Sequence, residues 1–300
     1  MEDLRDPFRG IRVIFAPERV KRPHEGDKDF ICPFCPGNEN LTPPEVLRVG
    51  DENWRIRVFP NKYPFAEIHE VIVESPDHFS DIDEFSVEHM GEIIRVWMDR
   101  MRFYGEREYT IVFRNYGKIS GASILHPHSQ LVSLNFVPDI PMREAEVLKF
   151  GNCMLCNFEE NFLHIGGDII IGVPKVPSHP REFWIFPREH IRNFYEFEGI
   201  GDLAETLIKA VRFVKGILGI GDYNLIIHSA PRNLDYHWHI EVIPRKGYLA
   251  GFEFGTGVFI NHHPPERVFE KLKGYFSTFP PDTLKKTPLF GFSTLLPSTS

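Results

Sequence analysis

The sequence is short of features that mark several classes of protein. Only four cysteines occur in 300 residues, too few to staple a small secreted fold with disulfides. Positive charge is not in excess, because 34 lysines and arginines face 42 aspartates and glutamates and leave a formal net charge of −8. This balance argues against nucleic acid and anionic membranes as partners. Apolar runs such as FWIF (183–186) are far shorter than a membrane span.

What the sequence does contain fits a globular protein. Hydrophobic residues make up 42% of the chain and charged residues 25%, as in folded domains with a core and unlike disordered chains. The length allows one large domain or two of about 100–150 residues. The first ten residues, MEDLRDPFRG, carry charge where a secretory signal has an apolar segment. We therefore expect a cytoplasmic protein.

The cysteines form two CxxC pairs, each followed by one histidine and then by a His-x-His pair. In chain order these residues are Cys32, Cys35, His78, His126 and His128, then Cys153, Cys156, His190, His237 and His239. The single histidine and the following pair are 48 residues apart in the first half (78 to 126) and 47 in the second (190 to 237). The agreement predicts two copies of one unit.

The segments between these residues match as well. Residues 86–105 and 201–219 carry apolar side chains at helical spacing, and each precedes a strand-like run, YTIVFRN (109–115) or YNLIIHS (223–229). Each half is therefore predicted to contain a CxxC knuckle, strands, a helix, a strand, a turn and a last strand with the His-x-His pair. Prolines and polar residues around 140–152 suggest the boundary, and the final FSTLLPSTS is predicted to fray.

Each half supplies the ligand set of a tetrahedral zinc site, in which two thiolates come from one knuckle and two distant histidines complete the site. The first predicted set is Cys32, Cys35, His78 and His126; the second is Cys153, Cys156, His190 and His237. A redox-active CxxC is the alternative. It requires a thioredoxin-like helix start, which CPFCPGNEN with its prolines and glycine does not offer.

Several motifs together resemble a known family. They are DPFRGIRVIFAPERVKRPHE, CPFCPGNEN, RVFPNKYPF, SPDHF, FRNYGKISGASILHPHSQ, HWHIEVIPR and GFEFGTG. The chain resembles galactose-1-phosphate uridylyltransferases, members of the histidine-triad superfamily, over most of its length. The resemblance implies an α+β fold of two fused histidine-triad-like domains, with an antiparallel sheet and flanking helices. We place these domains at residues 1–145, catalytic, and 146–300, with a metal site and a sugar-binding segment.

The resemblance also implies an activity. Members move UMP from UDP-glucose to galactose 1-phosphate through a covalent uridylyl-histidine, in a homodimer whose active sites draw on both subunits. UDP-glucose, UDP-galactose and hexose 1-phosphates are thus the expected ligands. Two zinc ions per chain are expected, of which the second could be iron. The family's second metal can be held by histidines and a glutamate without any CxxC, whereas this chain offers Cys153 and Cys156. Its second site is therefore expected to be an ordinary zinc site.

The family's functional residues transfer to positions of this sequence. The nucleophile is His128, and Gln130 is its partner glutamine, placed to donate an amide N–H to a phosphate oxygen. Contacts to uridine and phosphate correspond to Arg19, Arg22, Asn61, Asn115, Gly121 and Ser123. The stretch RKGYLAGFEFGTG (245–257) resembles the family's sugar-binding segment and offers Lys246 and Glu253 to hold phosphate and sugar hydroxyls, unless both are simply surface charges. Without the resemblance, we would assign the two arginines to a solvated charge cluster. Phe59 and Phe113 could flank a uracil ring, but aromatic residues in strands usually belong to the core.

Three functions stay open at this point: the transferase, a phosphorylase and a binding module. Several relatives have glycine where this motif has Ser129, and HPHSQ also suits nucleotide-sugar phosphorylases, which would accept inorganic phosphate. A double zinc-knuckle binding module is a third possibility, but it leaves His128 and Gln130 without a role. The second half has Glu241 where the first has Gln130. Because a carboxylate repels phosphate, we expect only the first half to be catalytic.

Overall fold

The computed structural model describes residues 2–158 and 161–279. It has twelve strands and five α-helices in this part of the chain. The strands are β1 (Glu2–Arg5), β2 (Arg12–Phe15), β3 (Leu47–Val49), β4 (Ile56–Pro60), β5 (Ile68–Val73), β6 (Tyr109–Tyr116), β7 (His128–Leu134), β8 (Phe162–Gly166), β9 (Ile169–Gly172), β10 (Phe183–Pro187), β11 (Asp222–His228) and β12 (His239–Arg245). The helices are α1 (Val87–Phe103), α2 (Asp139–Val147), α3 (Ile200–Arg212), α4 (Gly251–Thr256) and α5 (Pro265–Phe276).

Ten of the strands form one antiparallel sheet in the order β3-β4-β5-β7-β6-β11-β12-β10-β9-β8. The first five belong to the first half of the chain and the last five to the second, in mirrored order. The halves join where β6 pairs with β11, with Phe113 opposite Ile226 near the middle of that contact. The arrangement is the α+β fold expected from the sequence, and the duplication is visible as a pseudo-twofold in the sheet. The remaining strands, β1 and β2, form a separate hairpin.

The long helices α1 and α3 pack against each other and cover one face of the sheet. The Ser86 hydroxyl caps α1 by accepting the His89 N–H, and Trp97 on its inner face is fully buried. Helix α3 continues into a turn of π-helix, Phe213–Ile217. Side chains of both halves, including Leu207 of α3, belong to one continuous core. Packing against a shared core thus holds the two halves together.

The elements predicted around the motifs are confirmed, with shifted ends. The helix predicted over 86–105 is α1, and the one over 201–219 is α3 together with its π-helical extension. The two strand-like runs are β6 and β11. Each strand expected to carry a His-x-His pair begins only at the second histidine, His128 or His239, because the first bends away toward its CxxC cluster.

Helix α2 occupies the segment that we expected to be the domain boundary. Pro138 is the N-cap residue of this helix and Pro141 lies in its first turn, where proline is tolerated because the backbone N–H has no partner within the helix. The division at residue 145 therefore falls inside a helix, and we keep it as a proposal. No helix in the two described stretches is both long and apolar enough to cross a membrane. The predicted fraying of residues 292–300 lies outside the described residues.

Candidate active site and metal centres

A cavity of about 400 Å³ opens beside β7 in the first half of the molecule. It is walled by the turn after β4, by strands β5, β6 and β7, and by the loops around the first CxxC pair and before His128. All of the predicted nucleotide-contacting residues of the first half line it, together with the predicted nucleophile. They are Arg19, Arg22, Asn61, Asn115, Gly121, Ser123, His128 and Gln130.

The imidazole of His128 is held in one orientation. Its Nδ1–H donates to the backbone carbonyl of His126 at 2.8 Å, so the lone pair of the neutral ring lies on Nε2. Burial, reinforced by the positive charge of Arg114, lowers the pKa of His128 to about 4. The ring is therefore neutral at physiological pH and carries a nucleophilic nitrogen in a residue that lines the cavity.

Strand alternation separates the three residues that follow Pro127. His128 and Gln130 line the cavity, whereas Ser129 is fully buried and its hydroxyl accepts the indole N–H of Trp97 on α1 at 2.7 Å. Ser129 thus lies on the helix-covered face of the sheet. The serine-for-glycine difference that we noted in the motif is therefore separated from the cavity by the sheet and does not help to identify the acceptor.

A residue of the second half supports the wall of the first half's cavity from behind. Asn115 lines the cavity, and its side-chain oxygen accepts from Asn224 of β11 at 2.7 Å. The same Asn224 amide donates to the carbonyl of Ser120 in the loop before His128. Asn224 is a residue that the sequence argument missed, because nothing in its local sequence reveals that β11 pairs with β6.

The loop GKISGAS is built around a carboxylate from the second half. The backbone N–H of Ile119 donates to Asp222 at 2.6 Å. Gly117 has φ of +86°, and a Cβ there would lie 2.3 Å from the Asp222 carboxyl carbon. Only glycine fits at this position. Gly121, with φ of +89°, and Ser123 follow in the cavity wall, as the sequence predicted.

Positive charge gathers at one side of the cavity. Arg19 and Arg22 are half-buried, and the Arg19 guanidinium donates to the carbonyl of Tyr63 at 2.6 Å and lies over the Phe65 ring. Burial and the charge of Arg22 lower the pKa of Arg19. Lys62 adds a third cation that we did not predict. Lys62 is exposed, whereas burying Arg19 beside the like charge of Arg22 is unfavourable unless an anion is bound there. Arg19 and Arg22 therefore differ from a solvated charge cluster.

The other side of the cavity is apolar and aromatic. Phe59 is buried, 2% exposed, and also lines the cavity. It can therefore be part of the core and of a base-binding site at the same time. Phe113 also lines the cavity. Phe34, between the first two cysteines, lies with its ring centroid 5.8 Å from that of Phe59 and 5.2 Å from His128. We missed Phe34, although its position inside the CxxC loop ties it to the His126 cluster.

The first predicted metal-ligand set comes together. Cys32, Cys35, His78 and His126 each offer one ligand atom, and these atoms lie within 4.8 Å of one another. Cys35 Sγ is 3.3 Å from His78 Nδ1 and 3.6 Å from His126 Nδ1. Zinc with bonds of about 2.3 Å to sulfur and about 2.0 Å to nitrogen would separate such ligands by roughly 3.5 Å. The donors therefore fit a tetrahedral zinc ion.

The second predicted set, Cys153, Cys156, His190 and His237, has the same form, with Sγ to Nδ1 distances of 3.3–3.5 Å. In each of the four histidines, the ring nitrogen that faces away from the cysteines also has a hydrogen-bond partner. The Nε2 of His126 and of His237 donate to backbone carbonyls, and those of His78 and His190 face the carboxylates of Glu25 and Asp235. Such outer partners are typical of metal ligands.

One thiol of each CxxC pair has a raised pKa, unlike the reactive thiol of a redox centre. Burial raises the pKa of Cys32 to about 12 and that of Cys156 to about 12, whereas a reactive CxxC needs a lowered pKa. The geometry thus favours the metal interpretation over the redox one for both pairs.

A third group of potential ligands was not predicted from the sequence. Glu144, His228, His239 and Glu241 bring their ligand atoms within 4.8 Å of one another. Although burial opposes it, the carboxylates of Glu144 and Glu241 raise the pKa of His228 to about 10. Without an ion, the group is therefore an imidazolium between two carboxylates. Its ligand types match the metal site of histidines and glutamate that the resemblance implied.

This group lies in the second half at the position that corresponds to the cavity of the first half. His239, the counterpart of His128, is 1% exposed. Its ring stacks on His228 at 4.7 Å and lies 5.2 Å from the Trp184 ring. The carboxylates and stacked rings leave His239 enclosed. They support the prediction that the second half is not catalytic and add steric closure to the electrostatic reason.

The segment expected to bind sugar, residues 245–257, lies apart from the cavity of its own chain. Within residues 2–158 and 161–279, the cavity lining includes neither Lys246 nor Glu253. The Glu253 carboxylate accepts the backbone N–H of Ala250 at 3.0 Å at the start of α4. The neighbouring Tyr248, Phe252 and Phe254 are exposed, at 73%, 52% and 69%. A role for Glu253 in substrate binding would therefore require a second copy of the chain.

Comparison with known proteins gives relatives over nearly the whole length. Residues 17–137 match the family described as the DUF4931 N-terminal domain, a domain of unknown function. The chain is 30% identical to ADP-glucose phosphorylase of Arabidopsis thaliana over 90% of this chain and 91% of that protein. It is 26% identical to galactose-1-phosphate uridylyltransferase of Thermotoga maritima, covering 91% and 98%.

The fold agrees with these sequence relationships. The crystal structure of the Arabidopsis thaliana ADP-glucose phosphorylase with bound ADP-glucose superposes with a TM-score of 0.76 at 30% identity, covering 91% of this chain and 98% of that one. The similarity therefore includes both halves of the duplicated sheet.

Proposed function

Because the chain belongs to the family that includes ADP-glucose phosphorylase and galactose-1-phosphate uridylyltransferase, we propose that it transfers a nucleoside monophosphate from a nucleotide sugar to an acceptor phosphate. His128 carries the nucleotide between the two steps. One observation carries the proposal: a neutral imidazole, fixed through Nδ1–H to the His126 carbonyl, lies in a cavity with cations on one side and aromatic rings on the other.

In the first step, the lone pair on His128 Nε2 attacks the α-phosphorus of the nucleotide sugar. The N–P bond forms as the bond from phosphorus to the bridging oxygen breaks, and the sugar 1-phosphate leaves with that electron pair. The positive charge that develops on the imidazole is stabilised by the His126 carbonyl at Nδ1–H. In the second step, an acceptor phosphate oxygen attacks phosphorus and restores neutral His128.

The surrounding residues stabilise charge without reacting. Gln130 can donate an amide N–H to a non-bridging phosphate oxygen, and Arg19, Arg22 and Lys62 offset the negative charge of the diphosphate. Asn61, Asn115 and Ser123 can hydrogen-bond ribose or phosphate. Phe34 and Phe59 can flank the base.

Two zinc ions per chain are part of the proposal, held by the two Cys2His2 sets; the second ion could be iron. Zinc supplies structural stability here rather than Lewis-acid chemistry. The first set includes His126, whose backbone carbonyl fixes the His128 ring, so a disordered knuckle would misplace the nucleophile.

For the acceptor, we propose a hexose 1-phosphate, with UMP moving from UDP-glucose to galactose 1-phosphate. A site that releases one sugar phosphate in the first step is already shaped to receive another in the second. The segment with Lys246 and Glu253 supports sugar recognition if a second copy supplies it, and we therefore propose a homodimer.

A specific observation favours a second candidate. Because the relative with 30% identity is an ADP-glucose phosphorylase, transfer of AMP from ADP-glucose to inorganic phosphate is equally supported by the comparisons. The cavity chemistry is common to both reactions, since only the base and the attacking phosphate differ.

The test is covalent labelling followed by discharge. Protein incubated with UDP-glucose or ADP-glucose, each radiolabelled in the α-phosphate, should retain acid-labile label after denaturation. The labelled protein is then divided between galactose 1-phosphate and inorganic phosphate. Faster discharge to the sugar phosphate supports the transferase, and faster discharge to phosphate supports the phosphorylase. Absence of label with both nucleotide sugars would contradict the covalent mechanism.

The nucleophile is tested by a matched pair of substitutions. His128→Asn should lower nucleotidyl transfer by about 10⁴-fold or more, because no other residue can form the covalent intermediate. His239→Asn removes the corresponding histidine of the second half and should leave labelling intact once the folded fraction is equal. Equal loss of labelling in both variants would contradict the assignment of one catalytic half.

A further inference from the structure

The amide of Gln130 can help a phosphate only in one of its two orientations. A nucleotide phosphate accepts hydrogen bonds, so the NH₂ end must face the cavity and the carbonyl end must face the protein. Rotating the amide by half a turn would present an oxygen lone pair to the phosphate, which is repulsive. Something in the protein must therefore select the orientation.

His69, on β5 next to β7, contacts that amide directly. Its Nε2 lies 2.9 Å from Gln130 Oε1. The side chain is buried, 3% exposed, and none of the sequence motifs pointed to it. Within the described residues, the amide nitrogen of Gln130 donates to no protein group, so it is free to meet a ligand.

The turn after β4 fixes which nitrogen of His69 carries the proton. The backbone N–H of Phe65 donates to His69 Nδ1 at 3.3 Å. In a neutral imidazole one nitrogen accepts and the other donates. The Asn61 amide nitrogen also lies 3.1 Å from His69 Nε2, so the contacts compete for the tautomer. A hydrogen on Nε2 satisfies both the Phe65 and the Gln130 contacts, whereas a hydrogen on Nδ1 would satisfy only the Asn61 contact, and we therefore place the hydrogen on Nε2. An Nε2–H can pair with the oxygen of Gln130 and not with its NH₂ group.

The surroundings of His69 keep it neutral and rigid. Burial and the nearby charge of Arg19 lower its pKa to about 4. The Phe65 ring packs edge-on against it, with centroids 4.3 Å apart. The His69 carbonyl accepts the backbone N–H of Asn61 at 2.7 Å. The imidazole therefore offers one fixed donor to Gln130 throughout the physiological pH range.

We propose that His69 is a positioning residue that orients Gln130 so that its amide NH₂ donates to one non-bridging oxygen of the α-phosphate. The inference rests on the proposed nucleotidyl transfer and adds the residue that determines which end of the glutamine the substrate meets. His69 itself does not touch the reacting atoms. Its effect is transmitted through one hydrogen bond.

Two substitutions separate this contact from the turn that His69 also supports. His69→Asn keeps an acceptor near the position of Nδ1 for Phe65 N–H, but its side chain is too short to reach Gln130. His69→Gln places an amide N–H near the former Nε2 and can restore the contact. His89→Asn is the matched control, since His89 is a half-buried histidine that donates to the Glu74 carbonyl away from the cavity.

The readout is the rate of His128 labelling with the two α-phosphorothioate epimers of whichever nucleotide sugar labels the wild-type protein. Sulfur is a poor hydrogen-bond acceptor, so the wild type should prefer the epimer that keeps oxygen toward Gln130. Gln130→Met should abolish the preference. His69→Asn should reduce it nearly as far and slow labelling with the oxygen substrate by roughly 10- to 100-fold, while His69→Gln and His89→Asn should keep it.

The double variant His69→Asn, Gln130→Met should be no slower than Gln130→Met alone, because both substitutions remove one interaction. The inference is overturned if His69→Asn slows both epimers equally, if the double variant shows additive losses, or if the wild type does not discriminate between the epimers. A wild-type protein that takes up no label contradicts the proposed function instead, so the two failures are distinguishable.

Discussion

The proposed role of His128 as a nucleophile requires a neutral imidazole, and the protonation of His128 depends on its burial. A free histidine would be half protonated near pH 6.5, whereas burial and Arg114 lower the pKa of His128 to about 4. We therefore expect the single-turnover rate of labelling to stay constant from pH 8 down to about pH 5.5 and to fall only as the pH approaches 4.

Rapid-quench labelling over this pH range measures the effect, with circular dichroism at each pH to confirm that the protein is folded. A rate that falls to half its plateau near pH 6.5 would mean that the His128 ring is solvated.

The two CxxC knuckles are similar elements with different consequences for activity. Cys32→Ser should release the first metal ion and loosen the segment with His126, so both stability and labelling rate should fall. Cys153→Ser should release the second ion and lower stability with a smaller effect on labelling, because His237 precedes the enclosed His239 rather than the nucleophile.

Metal content by elemental analysis, thermal unfolding and labelling rate should be measured on both variants and on the parent. The parent should contain close to two transition-metal ions per chain. Full activity in a metal-free, folded parent protein would refute both metal assignments.

Arg114, on β6, contacts side chains from both halves of the chain in the buried interior. Its guanidinium lies 2.7 Å from Glu74, 2.8 Å from Asp81 and 2.7 Å from the hydroxyl of Tyr223 on β11. All four side chains are fully buried or nearly so. Arg114→Met leaves the two carboxylates in the interior without this partner and should lower the free energy of unfolding by about 3–5 kcal/mol.

Chemical denaturation measures that loss, and Arg55→Met is the control. Arg55 pairs with Glu92 at the surface at 2.7 Å, and its side chain is 49% exposed. Its removal should cost about 1 kcal/mol or less. Similar losses in the two variants would show that burial of the Arg114 network adds nothing.

At the scale of the whole molecule, the position of Glu253 away from its own cavity predicts active sites shared between chains. Glu253→Ala should lower transfer to a hexose 1-phosphate by at least about tenfold, because a sugar contact is lost. His128→Asn is inactive for a different reason. If Glu253 acts across the interface, a dimer of one Glu253→Ala chain and one His128→Asn chain has one fully native site. That site combines His128 of the first chain with Glu253 of the second.

Co-expression of differently tagged variants, followed by purification of the mixed dimer, tests this arrangement. The mixed dimer should recover up to half of the parental activity per dimer, although each variant alone is nearly inactive. A mixed dimer without activity, or an active monomer in solution, would contradict a site shared between chains. Undiminished transfer by Glu253→Ala would place Glu253 outside the substrate site.

Much of this architecture is encoded in local patterns. The CxxC pairs and the equal spacing of the histidines predicted the duplication and both ligand sets, because ligands must recur at matching points of a repeated fold. Apolar periodicity located α1, α3, β6 and β11, since helix and strand spacings are local properties of the chain. The substitution of Glu241 for Gln130 predicted one active half from charge alone.

Other features depend on pairings between distant segments, and only the tertiary structure decided them. Glu144, His228 and His239 meet because α2 lies over the ends of β11 and β12, far apart in sequence. Asn224 and Asp222 shape the first half's cavity only because β11 pairs with β6. The residue at which β7 begins determines which side chains face the cavity, and it places Ser129 on the face covered by the helices. Periodicity fixes the alternation of side chains along a strand, but packing determines which face is covered and which is left open for a substrate.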